Sequence, residues 1–364
     1  MKRQVILLAA GLTLGVAAVY TFAKDSMPTI NRNNPLLRPY QTEFDIPPFD
    51  LIQVSDYMPA LEEATKTNKA EVNAIIENSE APTFENTILA LDRGGADLER
   101  IVMLFSGLDE ALNSPEMVEV AEKFYPAVQQ WSDEMSMNPA LFSRIKAVYD
   151  NRANLGLDKS QVRMVEKSYR DAVRNGAMLS DAAKDSLKVI NGRLTDLFLQ
   201  FNKNLLAATN DFVITTTDTA RLAGLPQGVI DAAAEAAKER ELPAGTYAFT
   251  LHGPSRLPVL QYAADRSLRK EIYEGYTSLA SSGKYDNSAV INDIVRARTA
   301  KARLLGYPDF ASYATADVMA KTPEAAMELL NQVWVAARAR VNEEVAEMQT
   351  LTPEKIMPWD YAYY

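Results

Sequence analysis

His252 is the sole histidine of the chain, and cysteine is absent. That pair of facts limits the chemistry before any fold is considered. A helical metal site of the His-Glu-x-x-His kind needs two histidines one turn apart. This sequence cannot build one. Without cysteine there is no thiolate nucleophile, no Cys-ligated metal and no disulfide. A Ser–His–Asp relay would have to use His252, within Thr250-Leu251-His252-Gly253-Pro254-Ser255. A histidine beside a Gly-Pro turn, next to a strand, reads as a hairpin residue. The adjacent acids Glu62-Glu63 and Glu343-Glu344 have the residue type for general acid–base work. Both pairs sit on amphipathic helices with basic neighbours, Arg338 and Arg340 near the second, and read as solvated faces. Gly283-Lys284 is followed by Tyr285 and lacks the upstream glycine of a phosphate-cradling loop. No Gly-x-Gly-x-x-Gly follows a strand, and there is no Gly-x-Ser-x-Gly elbow. Motifs therefore assign no catalytic or metal-binding residue and leave substrate-binding residues unknown.

The elements around these residues read as mainly α. The chain has 364 residues, 47% hydrophobic and 24% charged, which excludes a disordered, fibrous or polytopic membrane protein. The formal charge of -10 argues against wrapping a nucleic-acid backbone. Helices are expected over about 56–78, from 86, and over 115–135, 139–151, 159–175 and 181–208. Later ones are expected at 227–239, 256–281, 287–305, 309–316 and 323–350. In the clearest, Leu187, Ile190, Leu194, Leu197, Phe198, Phe201 and Leu205 step by three and four, an apolar stripe that needs a partner helix. Gly94-Gly95 interrupts a helix and allows a bend or close packing. Strand signals are confined to the β-branched run 212–217 and to Tyr247–Leu251, a small sheet inserted among helices.

The first residues read as an address. Met1-Lys2-Arg3-Gln4 is a basic head, and Val5–Ala23 is an apolar run ending in Thr21-Phe22-Ala23, a cleavage site, with Val16-Ala17-Ala18 a second. Residues 1–23 are thus expected to be a signal peptide, and the protein periplasmic or secreted. The alternative is an inner-membrane anchor formed by residues 5–23. Residues 24–55 carry Pro28, Pro35, Pro39, Pro47 and Pro48 and read as an extended arm lying on the body.

A series of phrases resembles the M3 family of zinc metallopeptidases. Asn34-Pro35-Leu36-Leu37, Pro47-Pro48-Phe49-Asp50 and Tyr57-Met58-Pro59-Ala60-Leu61 are similar to its beginning, and Pro82-Thr83-Phe84-Glu85-Asn86-Thr87-Ile88 to its N-terminal helix entry. Leu222-Ala223-Gly224-Leu225-Pro226, Leu257-Pro258-Val259-Leu260, Lys301–Tyr307 and Met319-Ala320-Lys321 follow in family order. Trp359-Asp360-Tyr361-Ala362-Tyr363-Tyr364 resembles the family's Trp-Asp-x-x-Tyr-Tyr segment. Within the family the pattern is most similar to peptidyl-dipeptidases of the Dcp type, with oligopeptidase A next.

The resemblance implies two mostly helical lobes around a channel, one Zn²⁺, short peptide substrates and release of C-terminal dipeptides. It divides the chain into an N-terminal helical domain with a small sheet, 56–262, and the start of a catalytic domain, 263–364. The family's zinc ligands and general base lie beyond the Trp-Asp-x-x-Tyr-Tyr segment, on which this sequence ends. None can be carried over to a residue here, and His252 matches none of them. The chain is accordingly expected to be inactive alone, as a truncated peptidase; the alternative is an exported, non-catalytic helical protein that binds peptides or a partner. Truncation also predicts apolar faces left open within 256–364, around Leu329, Leu330 and Val333.

Overall fold

The computed structural model describes residues 34–112 and 114–364. The expected signal segment and the first part of the arm lie outside them. The described residues are mainly helical and divide into two compact units: one holds residues up to Leu199 together with Ala297–Tyr307, the other Gln200–Arg296 with Pro308–Tyr364.

The first unit contains α1 (Tyr57–Ile76), α2 (Ala90–Arg93), α3 (Ala96–Ala111), α4 (Pro115–Ser136), α5 (Pro139–Asn151), α6 (Lys159–Arg174) and the first part of α7 (Asp181–Asp211). Local chemistry marks the helix starts. The Ser114 hydroxyl accepts from the Met117 N–H, and the Asn138 side chain from the N–H groups of Ala140 and Leu141. Each is followed by proline in the first turn, where the missing N–H costs nothing. Asp158 and Gln161 form a reciprocal capping box on α6. Thr83 and Asn86 form another, which opens a wide π turn over Phe84–Leu89 leading into α2.

One core cluster is aromatic. Phe105 stacks on Phe124 at 4.1 Å between ring centroids, and Tyr57 meets Phe105 edge-on at 5.0 Å. Leu36 belongs to this cluster and is fully buried. The arm is therefore neither wholly extended nor merely laid on the surface. Pro35–Leu37, Glu43–Asp45 and Val54–Asp56 are 3-10 turns, and the Asn34 amide donates to the Asp56 carbonyl at 2.8 Å. Pro35 fixes φ at the start of the first of these turns, and burying Leu36 supplies the driving force that an exposed arm would lack.

The glycine pair behaves as a close approach. Gly95 has φ +76°, and a Cβ there would lie 2.9 Å from the Asn68 amide nitrogen. Its N–H donates to the Glu71 carboxylate at 2.8 Å. Only glycine combines that backbone with that neighbour.

The second unit contains the rest of α7, then β1 (Ile214–Thr216), α8 (Gln227–Glu239), β2 (Tyr247–Phe249), α9 (Gly253–Tyr262), α10 (Arg266–Thr277), the first part of α11 (Ser288–Leu304), whose remainder from Ala297 belongs to the first unit, α12 (Phe310–Thr315) and α13 (Pro323–Gln349). The two strands are shorter than their β-branched runs and pair antiparallel, Ile214 with Phe249 and Thr216 with Tyr247. Phe249, Val259, Leu268 and Ile272 form a core with α8 against the sheet.

The single helix expected over 256–281 is two. Ala263 is extended, the Ala264 N–H donates to the Ala223 carbonyl at 2.8 Å, and the Asp265 carboxylate caps the N–H groups of Ser267 and Leu268. A competing backbone bond and a fresh N-cap end one helix and begin the next, and no apolar period reveals that.

α13 has no buried residue. Leu329, Leu330 and Val333 are 63%, 60% and 59% exposed, and Trp334 and Val335 are exposed beside them. Among the described residues no helix is long and apolar enough to cross a membrane.

Candidate functional site

The residues singled out by type do not converge. His252 stands immediately before α9, with Nδ1 3.1 Å from the Thr250 hydroxyl. It is not in a hairpin: β2 runs directly into α9, whose first turn takes Pro254. A Gly-Pro pair opens a helix as readily as it turns a hairpin, because proline's φ suits the first helical turn. Glu63 pairs with Lys66 along α1 at 3.6 Å. Glu343 and Glu344 both pair with Arg340 on α13. These are helix-face pairs, as expected. Among the described residues no group of three His, Cys, Asp or Glu side chains comes together to hold a metal. The donor set present does not fit a zinc ion, which needs at least three protein ligands around one point.

What the fold does bring together are two buried charge networks. In the first unit, the Asp133 carboxylate on α4 accepts from the Asn191 amide of α7 at 2.7 Å and from Gln129 at 2.9 Å. The Asn191 carbonyl oxygen accepts from the Lys301 ammonium at 2.7 Å. Asp133, Asn191 and Lys301 are all buried. Burial pushes the Asp133 carboxyl above its usual range, only partly offset by the Asn191 and Gln129 bonds. Burial likewise pushes the Lys301 ammonium down to about 8, with Asp133 opposing.

Beside this network lies a cleft of about 330 Å³, lined by residues of α1, of the α4–α5 junction and of α7. Lys184, buried, reaches it from α7, and its ammonium donates to the Met137 carbonyl at 3.0 Å. Trp131 forms part of the wall and donates its indole N–H to Asn68 at 2.9 Å. Lys184 and Asn191 belong to the buried stripe of α7 but are polar, so apolar periodicity missed them. Their step from Leu187 by three and four is the signal that could have found them.

In the second unit, Arg266 and Arg269 on α10 both bond Asp360, at 2.6 and 2.8 Å. The Met357 N–H adds a third donor at 3.0 Å. Asp360 and Arg269 are almost fully buried. Burial pushes the Asp360 carboxyl up, but the guanidinium and backbone donors outweigh it and hold it below the usual range. The Arg269 guanidinium lies 4.0 Å over the Tyr363 ring, and Lys270 lies 5.4 Å over Trp359. The Trp-Asp-x-x-Tyr-Tyr segment is thus fastened to α10 by its aspartate and two of its rings.

The ordered phrases have matches in known proteins. The sequence model of peptidase family M3 matches residues 259–364, and that of the neurolysin/thimet oligopeptidase N-terminal domain matches residues 61–184. Dipeptidyl carboxypeptidase of Escherichia coli (strain K12) is 35% identical over 337 residues, 91% of this chain and 49% of that protein. Oligopeptidase A of Salmonella typhimurium is 31% identical over 341 residues, again 91% of this chain and 49% of the relative. Organellar oligopeptidase A of Arabidopsis thaliana is 29% identical, over 91% of this chain and 43% of that protein. The chain spans about half the length of the relatives it matches. Two models met in order along the chain, and enzymes aligned to 91% of it over about half of their own length, make the chain similar to peptidase family M3.

Proposed function

We propose that this chain is part of an exported zinc peptidase that cleaves short peptides and releases C-terminal dipeptides, and that it is inactive by itself. The observation that carries the reading is the alignment of 91% of the chain to about half of a dipeptidyl carboxypeptidase. The higher identity to that enzyme than to oligopeptidase A supports dipeptide release over internal cleavage. The start of the M3 match at residue 259 supports a catalytic-domain boundary near 262–263. In this proposal the zinc ligands and the general base come from residues outside this sequence. The open face of α13 then packs against that remainder, since a helix with so much exposed Leu, Val and Trp gains several kcal/mol from cover, about 25 cal/mol per Å². Residues 1–23 direct export to the periplasm or beyond, or residues 5–23 anchor the protein in the inner membrane.

The test is to read the coding frame past Tyr364 and assay what it encodes. An open frame containing His-Glu-x-x-His, with bound zinc and dipeptide release that the 364-residue chain lacks, supports the proposal. A stop codon at that point, or activity of the chain alone, overturns it. The stop codon leaves the alternative, an exported helical peptide-binding protein. N-terminal sequencing of the exported product separates signal from anchor: a start at Lys24 indicates cleavage, a retained Met1 the anchor.

A further inference from the structure

Two phenols of the first unit are stacked. Tyr149, in the last turn of α5, and Tyr169, on α6, have ring centroids 3.9 Å apart and planes only 9° from parallel. Both are half-buried against the core cluster that holds Val148 and Val165. Neighbours keep the rings in register. The Arg152 guanidinium lies 4.0 Å over the Tyr149 ring, donates to the Tyr149 carbonyl at 2.7 Å and pairs with Glu166 of α6 at 3.5 Å. Phe142 stacks on Tyr169 at 5.7 Å. The phenol end of Tyr169 reaches the surface, its hydroxyl 3.9 Å from the sulfur of Met178, which is 62% exposed. A small oxidant can approach there, and water can take a proton.

We propose that Tyr149 and Tyr169 are an oxidative cross-linking site, joined through ring carbons ortho to their hydroxyls when a one-electron oxidant acts on the protein. Each phenol gives up one electron and its hydroxyl proton and becomes a phenoxyl radical. The unpaired electron occupies a π orbital whose lobes stand perpendicular to the ring, with density on the ortho carbons. A carbon–carbon bond therefore forms where two rings overlap face to face, as these do. The hydrogen on each newly bonded carbon then moves to the oxygen and restores the phenol. In sum two protons pass to water and two electrons to the oxidant. Tyr363 and Tyr364 lack this overlap, because their planes meet at 89°. Holding the two rings in contact replaces the search of one radical for another. The product ties α5 to α6 and restricts the unfolded chain as a disulfide does, in a sequence that has no cysteine. The proposal does not rest on the peptidase reading.

The experiment is illumination of the dilute 364-residue chain with a ruthenium tris-bipyridine complex and persulfate, which accepts the two electrons and becomes two sulfates. The expected product lacks two hydrogens and carries dityrosine fluorescence. Trypsin should release from it one species joining residues 147–152 to residues 168–170. Its yield should exceed that from the urea-unfolded chain about ten-fold, the advantage of partners already in contact. Tyr149→Phe and Tyr169→Phe each keep a ring in the stack and remove one hydroxyl, and each should abolish the joined species. Either variant serves if the other does not fold. A folded chain that forms no dityrosine, or whose dityrosine maps to other tyrosines, overturns the proposal. So does an equal yield of the joined species from folded and unfolded chains.

Discussion

Asp133 and Asp360 are buried to nearly the same degree, 6% and 0% exposed, yet their carboxyl groups are displaced in opposite directions. The difference lies in what touches them. Asp133 is bonded by two neutral amides, and the Lys301 ammonium bonds Asn191 rather than the carboxylate itself. Asp360 meets two guanidiniums and a backbone N–H directly. Burial alone favours the neutral acid. Direct, charge-assisted contact reverses the sign, while an intervening amide leaves burial in control. One network is an arginine clamp that favours the ionised acid, and the other is a relay in which burial favours the neutral form of both acid and amine.

The clamp should be the more expensive to break. Asp360→Ala leaves the buried Arg269 guanidinium without its anion and should cost about 3–5 kcal/mol. Urea unfolding read by tryptophan fluorescence, with proteolysis of the segment around Met357–Tyr364, checks this. A loss below 1 kcal/mol would remove the clamp from the comparison. Its pH signature is acidic. Because the folded-state carboxyl titrates below its unfolded value, the stabilisation is complete above the usual aspartate range and disappears as pH falls through the lower folded value.

The relay should show itself on the alkaline side. Lys301 titrates near 8 when folded and near 10.5 when unfolded, so between those values the unfolded chain binds more protons. Stability of the first unit should therefore rise with pH, by about 2–3 kcal/mol from neutrality to pH 10. Lys301→Met should flatten that slope in denaturant midpoints measured across the range. An identical slope in the variant would assign the rise to other groups.

Smaller changes sharpen the contrast. Gln129→Ala removes one neutral donor from Asp133 and should cost about 1 kcal/mol by denaturant unfolding. Arg340→Ala breaks the exposed pairs to Glu343 and Glu344 and should leave the unfolding midpoint unchanged, as solvent-screened surface pairs do.

The sequence made the helices legible wherever apolar spacing and caps agreed, as at Ser114-Pro115, Asn138-Pro139 and Thr322-Pro323. It did not reveal the break at Ala263–Asp265, because the deciding bond comes from Ala223, far away in the chain. Nor did it reveal the charge networks. Asp133, Asn191 and Lys301 lie on three helices whose contact is tertiary, and a polar residue inside an apolar stripe looks like a flaw until its partner is known. The absence of a catalytic motif was plain from one histidine. The resemblance to a family came from the order of short phrases, and the physical reason for one of them, Trp359-Asp360, emerged only with Arg266 and Arg269 beside it.

A lone imidazole has an experimental consequence. His252 marks the joint where β2 passes into α9, tied to Thr250. In proton NMR its ring signals have no companions of their own kind, so a single pair of resonances, needing no labelling scheme, follows that joint through any titration, partner addition or unfolding run.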